Sequence, residues 1–217
     1  MTPFVRSILF NGKFCMENDS MSKPWEISCL DKVLRRMKVS YSCDSITLEE
    51  RGDEAALRNI DVSGLTPDYL VLKPDESRIQ FFASGYGSKQ CDYILLSEFN
   101  GEKVAVFVEL KSNVGDHSAI ATTPQQDADG EYDDYVTQLI SSSCLLDYLH
   151  SVLVNFCNCD VLGKDYKRYY VVLHNKDIPL IDDEVLLTRP ERNTSPQQAY
   201  IRKTNNNESL TLADLIR

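Results

Sequence analysis

Two β-rich segments joined by a turn signal give the clearest hydrophobic and polar pattern in the chain. Residues 91–97 (CDYILLS) and 103–110 (KVAVFVEL) are rich in β-branched, aromatic and other apolar residues. Asn100-Gly101, the pair most typical of a hairpin turn, lies within the five-residue connection between them. We therefore predict an antiparallel hairpin. Its second strand is apolar at every position over 104–108, which predicts a central strand covered on both faces.

Helical spacing of apolar residues predicts one helix before the hairpin and one after it. Residues 24–39 follow this spacing with Pro24 in the first turn, and residues 47–60 are predicted as a second helix, which Gly52 weakens. Residues 135–156 are predicted to form a long amphipathic helix. Its expected buried stripe consists of Val136, Leu139, Ile140, Leu146, Leu149, Leu153 and Phe156.

Further short elements complete the predicted fold. Strands are expected at residues 68–73, 78–83, 166–174 and 184–188, and a terminal helix from about Leu210. The order of elements predicts an α/β fold, with a mixed central β-sheet flanked by helices. The 217 residues fit a single domain spanning 1–217, with an N-terminal helical extension over 1–60 and a C-terminal extension over 175–217.

Composition indicates a globular chain in a reducing compartment. Hydrophobic residues make up 42% and charged residues 26%, as in ordinary globular domains. We find neither a secretory signal nor an uninterrupted apolar run of about 18 residues, so we expect a cytoplasmic location and no membrane association. The seven cysteines are an odd number without an export signal, so a disulfide framework is not expected.

Charge constrains how the chain could meet nucleic acid. The net charge is −10, and residues 44–135 alone hold 19 acidic and 7 basic side chains. Such an acidic surface repels phosphate, which argues against a stand-alone, non-specific DNA binder. Phosphate contacts would have to use a metal ion or the more basic ends of the chain. The basic candidates are Lys32, Arg35, Arg36, Lys38, Lys164, Lys167, Arg168, Arg189, Arg192, Arg202 and Lys203.

A long polar and acidic segment over residues 113–134 separates the hairpin from the long helix. Loops of this length are typically functional or mobile, although a solvated surface segment is the simplest interpretation. As a functional hypothesis, the segment would be autoinhibitory and occupy the region where DNA phosphates bind. Deleting residues 116–131 would then change the nuclease rate and the DNA affinity.

Two charged residues at the end of the predicted central strand carry the candidate chemistry. Glu109 and Lys111 are two positions apart and so share one face, while Leu110 points into the core on the other. Paired residues of the hairpin should have numbers that sum to about 201, which places Asp92 opposite Glu109. Two neighbouring carboxylates favour a bound cation, and Mg²⁺ typically takes one or two carboxylates together with substrate phosphates. Asp92, Glu109 and the carbonyl of Leu110 are the predicted metal ligands, and Lys111 would orient a water and offset phosphate charge.

These residues resemble the PD-(D/E)XK nuclease superfamily. The resemblance rests on CDYILLSEFNGEKVAVFVELKS, with Asp92 beginning one strand and Glu109-Leu110-Lys111 ending the next, and on Gln138 in the following helix. It covers about 78–174 and implies a restriction-endonuclease-like core. It also implies a catalytic set of Asp92, Glu109, Lys111 and Gln138, with Mg²⁺ or Mn²⁺ as cofactor. An N-terminal glutamate often joins the family's site, and Glu26, Glu49, Glu50 and Glu54 all remain candidates.

The resemblance implies a metal-dependent nuclease, with DNA favoured over RNA, acting in bacterial defence or restriction. The acidic surface leads us to expect a protein partner or a homodimer. The alternative is a catalytically silent, nuclease-fold interaction subunit of a larger complex. His117, His150 and His174 have no recognisable partner spacing and are interpreted as non-catalytic. Tyrosines 166, 169 and 170 could stack on bases, although strand tyrosines are more often core residues.

Overall fold

A computed structural model describes ten stretches of the chain. These are residues 9–10, 13–14, 44–50, 57–66, 69–74, 90–111, 134–160, 162, 165–175 and 192–217. Four sequence predictions lie outside the described residues: the helix over 24–39, the strands over 78–83 and 184–188, and the acidic segment up to residue 133. His117 lies there too, and so do Glu26 and Glu54.

Ten strands and two helices make up the described secondary structure. The strands are β1 (Leu9–Phe10), β2 (Lys13–Phe14), β3 (Ser45–Leu48), β4 (Ile60–Ser63), β5 (Leu70–Leu72), β6 (Tyr93–Phe99), β7 (Glu102–Lys111), β8 (Lys167–His174), β9 (Tyr200–Lys203) and β10 (Ser209–Thr211). The helices are α1 (Asp134–Cys157) and α2 (Leu212–Leu215), and a 3₁₀ turn covers Pro196–Gln198. β1 and β2 form a separate short antiparallel pair.

The other eight strands form two mixed sheets. The larger sheet has the order β5-β6-β7-β8-β9, with antiparallel pairing from β5 to β7 and parallel pairing from β7 to β9. The smaller sheet has the order β10-β4-β3, in which β10 is parallel and β3 antiparallel to β4. The predicted mixed α/β class is therefore confirmed, and β7 is the central strand of its sheet.

The larger sheet is covered differently on its two faces. On one face α1 packs over an apolar cluster, here called the helix-face cluster, which includes Ala105, Phe107, Tyr170 and Val172 of the sheet. On the other face the smaller sheet contributes to a second cluster, here called the sheet-face cluster, which includes Val106, Val108, Leu110 and Leu173. In the described part of the chain, the expected flanking by helices therefore holds mainly on one face, because β3, β4, β10 and the single-turn α2 cover the other.

The hairpin and its register are confirmed. Tyr93 pairs with Val108 and the pairing continues to Phe99 with Glu102, so the residue numbers of each pair sum to 201 as predicted. β6 ends two residues later than predicted and β7 begins one residue earlier, which leaves a two-residue turn in place of a five-residue connection. Asn100 and Gly101 have φ of 52° and 79°, the left-handed conformation that a tight hairpin turn requires and that these residue types tolerate. The predicted strands over 68–73 and 166–174 are also confirmed.

The predicted helix over 47–60 is wrong at both of its described ends. Ser45–Leu48 is a strand that pairs antiparallel with Ile60–Ser63, and Thr47 donates a side-chain hydrogen bond to Asp61 across that pair. Asn59 has a φ of 57°, which no helix interior allows. The apolar residues Leu48, Leu57 and Ile60 of this segment are fully buried in the sheet-face cluster.

Two smaller predictions also differ from the structure. Leu210 lies in β10, and the terminal helix begins at Leu212 and lasts one turn. Phe156, expected in the buried stripe of the long helix, is 84% exposed. It comes near the end of α1, three residues beyond the buried Leu153 and outside the contact with the sheet.

The long predicted helix is otherwise confirmed. Within the described residues, Tyr135–Cys157 is one helix whose length and composition would suffice to cross a membrane. Core helices of folded domains have the same properties, and Val136, Leu139, Leu149 and Leu153 pack in the helix-face cluster. The absence of membrane association remains a prediction.

Candidate active site

The candidate site lies at the carboxyl end of β7, on the face that α1 covers. Glu109 is 2% exposed, and its Oε1 is 2.7 Å from Nζ of Lys111. Leu110 points to the opposite face and packs in the sheet-face cluster, as the alternation of strand side chains predicts. A carboxylate this deeply buried needs a compensating charge, and Lys111, with 23% of its side chain exposed, supplies it.

Asp92 lies in a bend one residue before β6, next to the end of β7. Its Oδ2 accepts a hydrogen bond of 2.7 Å from the backbone amide of Leu110, the residue between Glu109 and Lys111. Continuing the hairpin register by one pair places Asp92 opposite Glu109. The two carboxylates are thus brought to the same end of the same strand pair.

Gln138 joins the site from the second turn of α1. Its Oε1 accepts a hydrogen bond of 2.9 Å from Nζ of Lys111, so that the ammonium contacts both Glu109 and Gln138. Nε2 of Gln138 in turn donates to the carbonyl of Gln90 at 3.4 Å, just before Asp92. The glutamine therefore fixes the lysine relative to the strand that carries the aspartate.

Ser142 and Cys91 connect the same strand to α1 one helical turn further on. The amide of Cys91 donates to Oγ of Ser142 at 2.8 Å, and both residues are fully buried. Burial is the main cause that raises the pKa of the Cys91 thiol well above its usual value. The hydrogen bond with Ser142 opposes this shift, and the nearby negative charges of Glu109 and Asp92 add to it. The thiol is therefore protonated at neutral pH, and Cys91 packs in the helix-face cluster.

Asp92 and Glu109 supply carboxylate oxygens, the type of ligand that a hard divalent cation such as Mg²⁺ prefers. In the described residues there is no group of three or more His, Cys, Asp and Glu side chains that would hold a metal by itself. Two carboxylates, with water and substrate oxygens completing the coordination, are a typical Mg²⁺ arrangement.

Sequence reasoning missed several supporting residues and misjudged others. The i, i+4 spacing of Gln138 and Ser142 on one helix face was available in the sequence and indicates that both face the same strand. The carbonyl of Gln90 carried no such signal. Of the N-terminal glutamates, Glu49 lies beside the smaller sheet, where its backbone amide and carbonyl both bond the hydroxyl of Tyr93. That ring belongs to the sheet-face cluster, on the side of the sheet opposite Glu109.

The described members of the expected basic and aromatic clusters have mainly structural partners. The other basic candidates lie outside the described residues: Lys32, Arg35, Arg36, Lys38, Lys164 and Arg189. Lys167 and Arg168 begin β8, at the end opposite the site, and form ion pairs with Glu102 and Asp147 respectively. Arg202 pairs with Glu208 at 2.9 Å. Tyr170 stacks on Phe107 with 4.9 Å between the ring centroids, so it is a core residue.

The described cysteines are all free thiols, as expected: Cys91, Cys144, Cys157 and Cys159. His150 lies 3.4 Å from Asp160 and twelve residues along α1 from Gln138, about 18 Å along the helix axis. Neither observation adds a residue to the site.

Comparisons with protein-family models, with curated proteins and with solved structures gave no match to this chain.

Proposed function

We propose that this protein is a Mg²⁺-dependent nuclease that hydrolyses phosphodiester bonds, with DNA as the favoured substrate. The observation that carries the proposal is the arrangement around Lys111. Its Nζ contacts the buried Glu109 at 2.7 Å and Gln138 at 2.9 Å, and Asp92 is held against the adjoining amide of Leu110. Two carboxylates and a lysine that converge at the end of two paired strands match the chemistry of metal-dependent phosphodiester hydrolysis.

Each residue has a stated role in this proposal. Asp92 and Glu109 would hold the metal through their carboxylates, together with the carbonyl of Leu110. Bound Mg²⁺, or Mn²⁺ in its place, would supply activation of a water and stabilisation of charge on the phosphate. Lys111 orients the attacking water and offsets charge on the phosphate, while Gln138 positions Lys111.

The order of strands and the site at the end of β7 support a restriction-endonuclease-like core as the finer description of the fold. The same resemblance supports a role in bacterial defence or restriction in the cytoplasm, beside a protein partner or as a homodimer. The acidic composition supports the partner, since a surface of net charge −10 attracts nucleic acid poorly by itself.

The proposal is tested by incubating the purified chain with plasmid, linear duplex and single-stranded DNA in Mg²⁺, Mn²⁺ or EDTA. We expect cleavage only with metal. Asp92→Asn and Lys111→Arg should each lower the rate by about 10²-fold or more, because each removes a group that stabilises the transition state while keeping local hydrogen bonding or charge. Lys103→Ala, at the opposite end of β7, is the matched control and should cleave as the wild type does.

Wild-type rates in both site variants, or cleavage that persists in EDTA, would overturn the proposal.

The alternative, a silent interaction subunit, is favoured by one observation: Glu109 and Lys111 already neutralise each other. Calorimetric titration with millimolar Mg²⁺ separates the two proposals, since the silent subunit would bind no metal and Asp92→Ala would change nothing.

A further inference from the structure

Beside the candidate site, the parallel strands of the larger sheet end in three nitrogen-bearing side chains at matching positions. Lys111 of β7 pairs in register with His174 of β8, and His174 pairs in register with Lys203 of β9. Residues in register on parallel strands point to the same face of a sheet. The three side chains therefore form a row across the carboxyl edge of β7, β8 and β9, here called the carboxyl-edge row.

Packing identifies the face to which the row belongs. Two positions before the row, Val172 and Ile201 pack with the helix-face cluster, as does Phe107 on β7. Their neighbours Val171 and Tyr200 pack in the sheet-face cluster. Alternation then places Lys111, His174 and Lys203 on the α1 side, the same side as Glu109 and Gln138.

The backbone holds the row in place. The amide of Thr204, which follows Lys203, donates a hydrogen bond of 2.7 Å to the carbonyl of His174, and Thr204 is fully buried. His174, in the middle of the row, is 7% exposed, whereas 23% of the Lys111 side chain is exposed and Lys203 is exposed. Solvent therefore reaches the two lysines more readily than the histidine. Ligands of sheets with parallel strands bind at the carboxyl ends of those strands.

We propose that the carboxyl-edge row binds successive phosphates of a nucleic-acid strand that enters the site. Three neighbouring strands span about 10 Å, so the row is long enough to contact more than one phosphate of a strand. Lys111, Lys203, Asp92 and Glu109 sum to zero charge, and a divalent cation raises that sum to +2. The choice of nucleic acid as the ligand rests on the proposed function. Phosphate binding by the row would give His174 and Lys203 a role that sequence spacing did not reveal.

The test measures binding without metal and without cleavage. Fluorescence anisotropy in EDTA follows a labelled duplex of about 20 base pairs and the corresponding single strand, in the Asp92→Asn background, from about 50 to 200 mM salt. Lys203→Ala should reduce the magnitude of the salt slope of log K by about 0.9 on duplex or about 0.7 on single strand. On duplex, Lys203→Ala should therefore lose about 3.5-fold less affinity than the parent when the salt rises from about 50 to 200 mM. His174→Phe keeps the ring shape, removes the nitrogen donors and should also weaken binding.

Lys103→Ala removes the same charge from the opposite end of the sheet, where 52% of the Lys103 side chain is exposed. It should leave affinity and salt slope unchanged. Parental binding in Lys203→Ala or in a folded His174→Phe, or an equal effect of Lys103→Ala, would overturn the proposal, as would no binding by the parent. Hydrolysis is not measured in this test. If the protein does not cleave DNA but Lys203→Ala still weakens binding, the nuclease proposal fails and the carboxyl-edge row stands. If the protein cleaves DNA but Lys203→Ala binds as the parent does, the row fails and the nuclease proposal stands.

Discussion

At the residue scale, the burial of Glu109 links folding to chemistry. Its side chain is 2% exposed, and its carboxylate is compensated by Lys111 at 2.7 Å. Removing one partner of a buried ion pair is far more destabilising than removing both, because the remaining charge stays in a medium of low dielectric constant. A substitution at Lys111 therefore perturbs stability as well as any reaction.

Lys111→Met should lower the free energy of unfolding by about 3–5 kcal/mol. The double variant Glu109→Gln with Lys111→Met should regain most of that loss, since no charge is then left buried without its partner. Urea unfolding at neutral pH measures both. A single variant as stable as the wild type would show that the pair makes no net contribution to folding.

The hairpin arithmetic explains why the positions of Asp92, Glu109 and Lys111 could be predicted. A two-residue turn fixes the register, and the register fixes which side chains are neighbours. Lys203 and His174 could not be placed in the same way. Their proximity to Lys111 depends on parallel pairing between strands far apart in sequence, for which the chain carries no local turn signal.

At the element scale, local signals predicted α1, β6 and β7 well and the segment 47–60 poorly. Leu48, Leu57 and Ile60 of that segment pack in the sheet-face cluster, because tertiary pairing of β3 with β4 determines their conformation. Short segments are the most easily overridden, because few local hydrogen bonds compete with a sheet ladder. The four-residue α2 is also too short for local signals to determine it. Its position depends on the preceding strand β10 and on its N-terminal cap.

The cap of α2 gives a pH-dependent prediction. Thr211 and Asp214 form a reciprocal capping box, and the hydrogen bond from the Thr211 side chain is the main cause that lowers the pKa of Asp214. A carboxyl group with a lowered folded-state pKa stabilises the fold above its unfolded pKa, and that contribution is lost as the pH falls through the folded pKa.

Asp214→Asn should therefore destabilise the protein at pH 7 by up to about 1 kcal/mol, a modest value because the Asp214 side chain is 43% exposed. The difference from wild type should shrink as the pH falls below the usual range for aspartate. Urea unfolding across that pH range checks the sign. A difference that grows on acidification would contradict the assignment.

At the scale of the whole molecule, Asn193 connects the C-terminal residues to the larger sheet. It is fully buried, and its Nδ2 donates to the carbonyls of Tyr170 at 3.0 Å and Leu215 at 2.9 Å. Its Oδ1 accepts from the amide of Arg217 at 2.9 Å. One side chain thus joins β8 to the residues around α2.

Asn193→Ala should lower the free energy of unfolding by about 2–4 kcal/mol, because it leaves buried backbone groups without hydrogen bonds. Asn155→Ala is the matched control: that asparagine is exposed and bonds within its own helix, so the change should stay within about 0.5 kcal/mol. Chemical denaturation compares the two. Equal effects would mean that Asn193 contributes no more than a surface residue.

The parallel pairing of β10 with β4 has a consequence for synthesis on the ribosome. Ser209, Leu210 and Thr211 complete a sheet whose other strands were translated about 150 residues earlier. A chain interrupted near residue 205 would leave an edge of β4 open and deprive the inner apolar layer of Leu210, Leu212 and Leu215. Truncated products of this kind would expose an unpaired strand edge and apolar side chains, so chaperones and proteases would bind them. Full-length chains would bury both features.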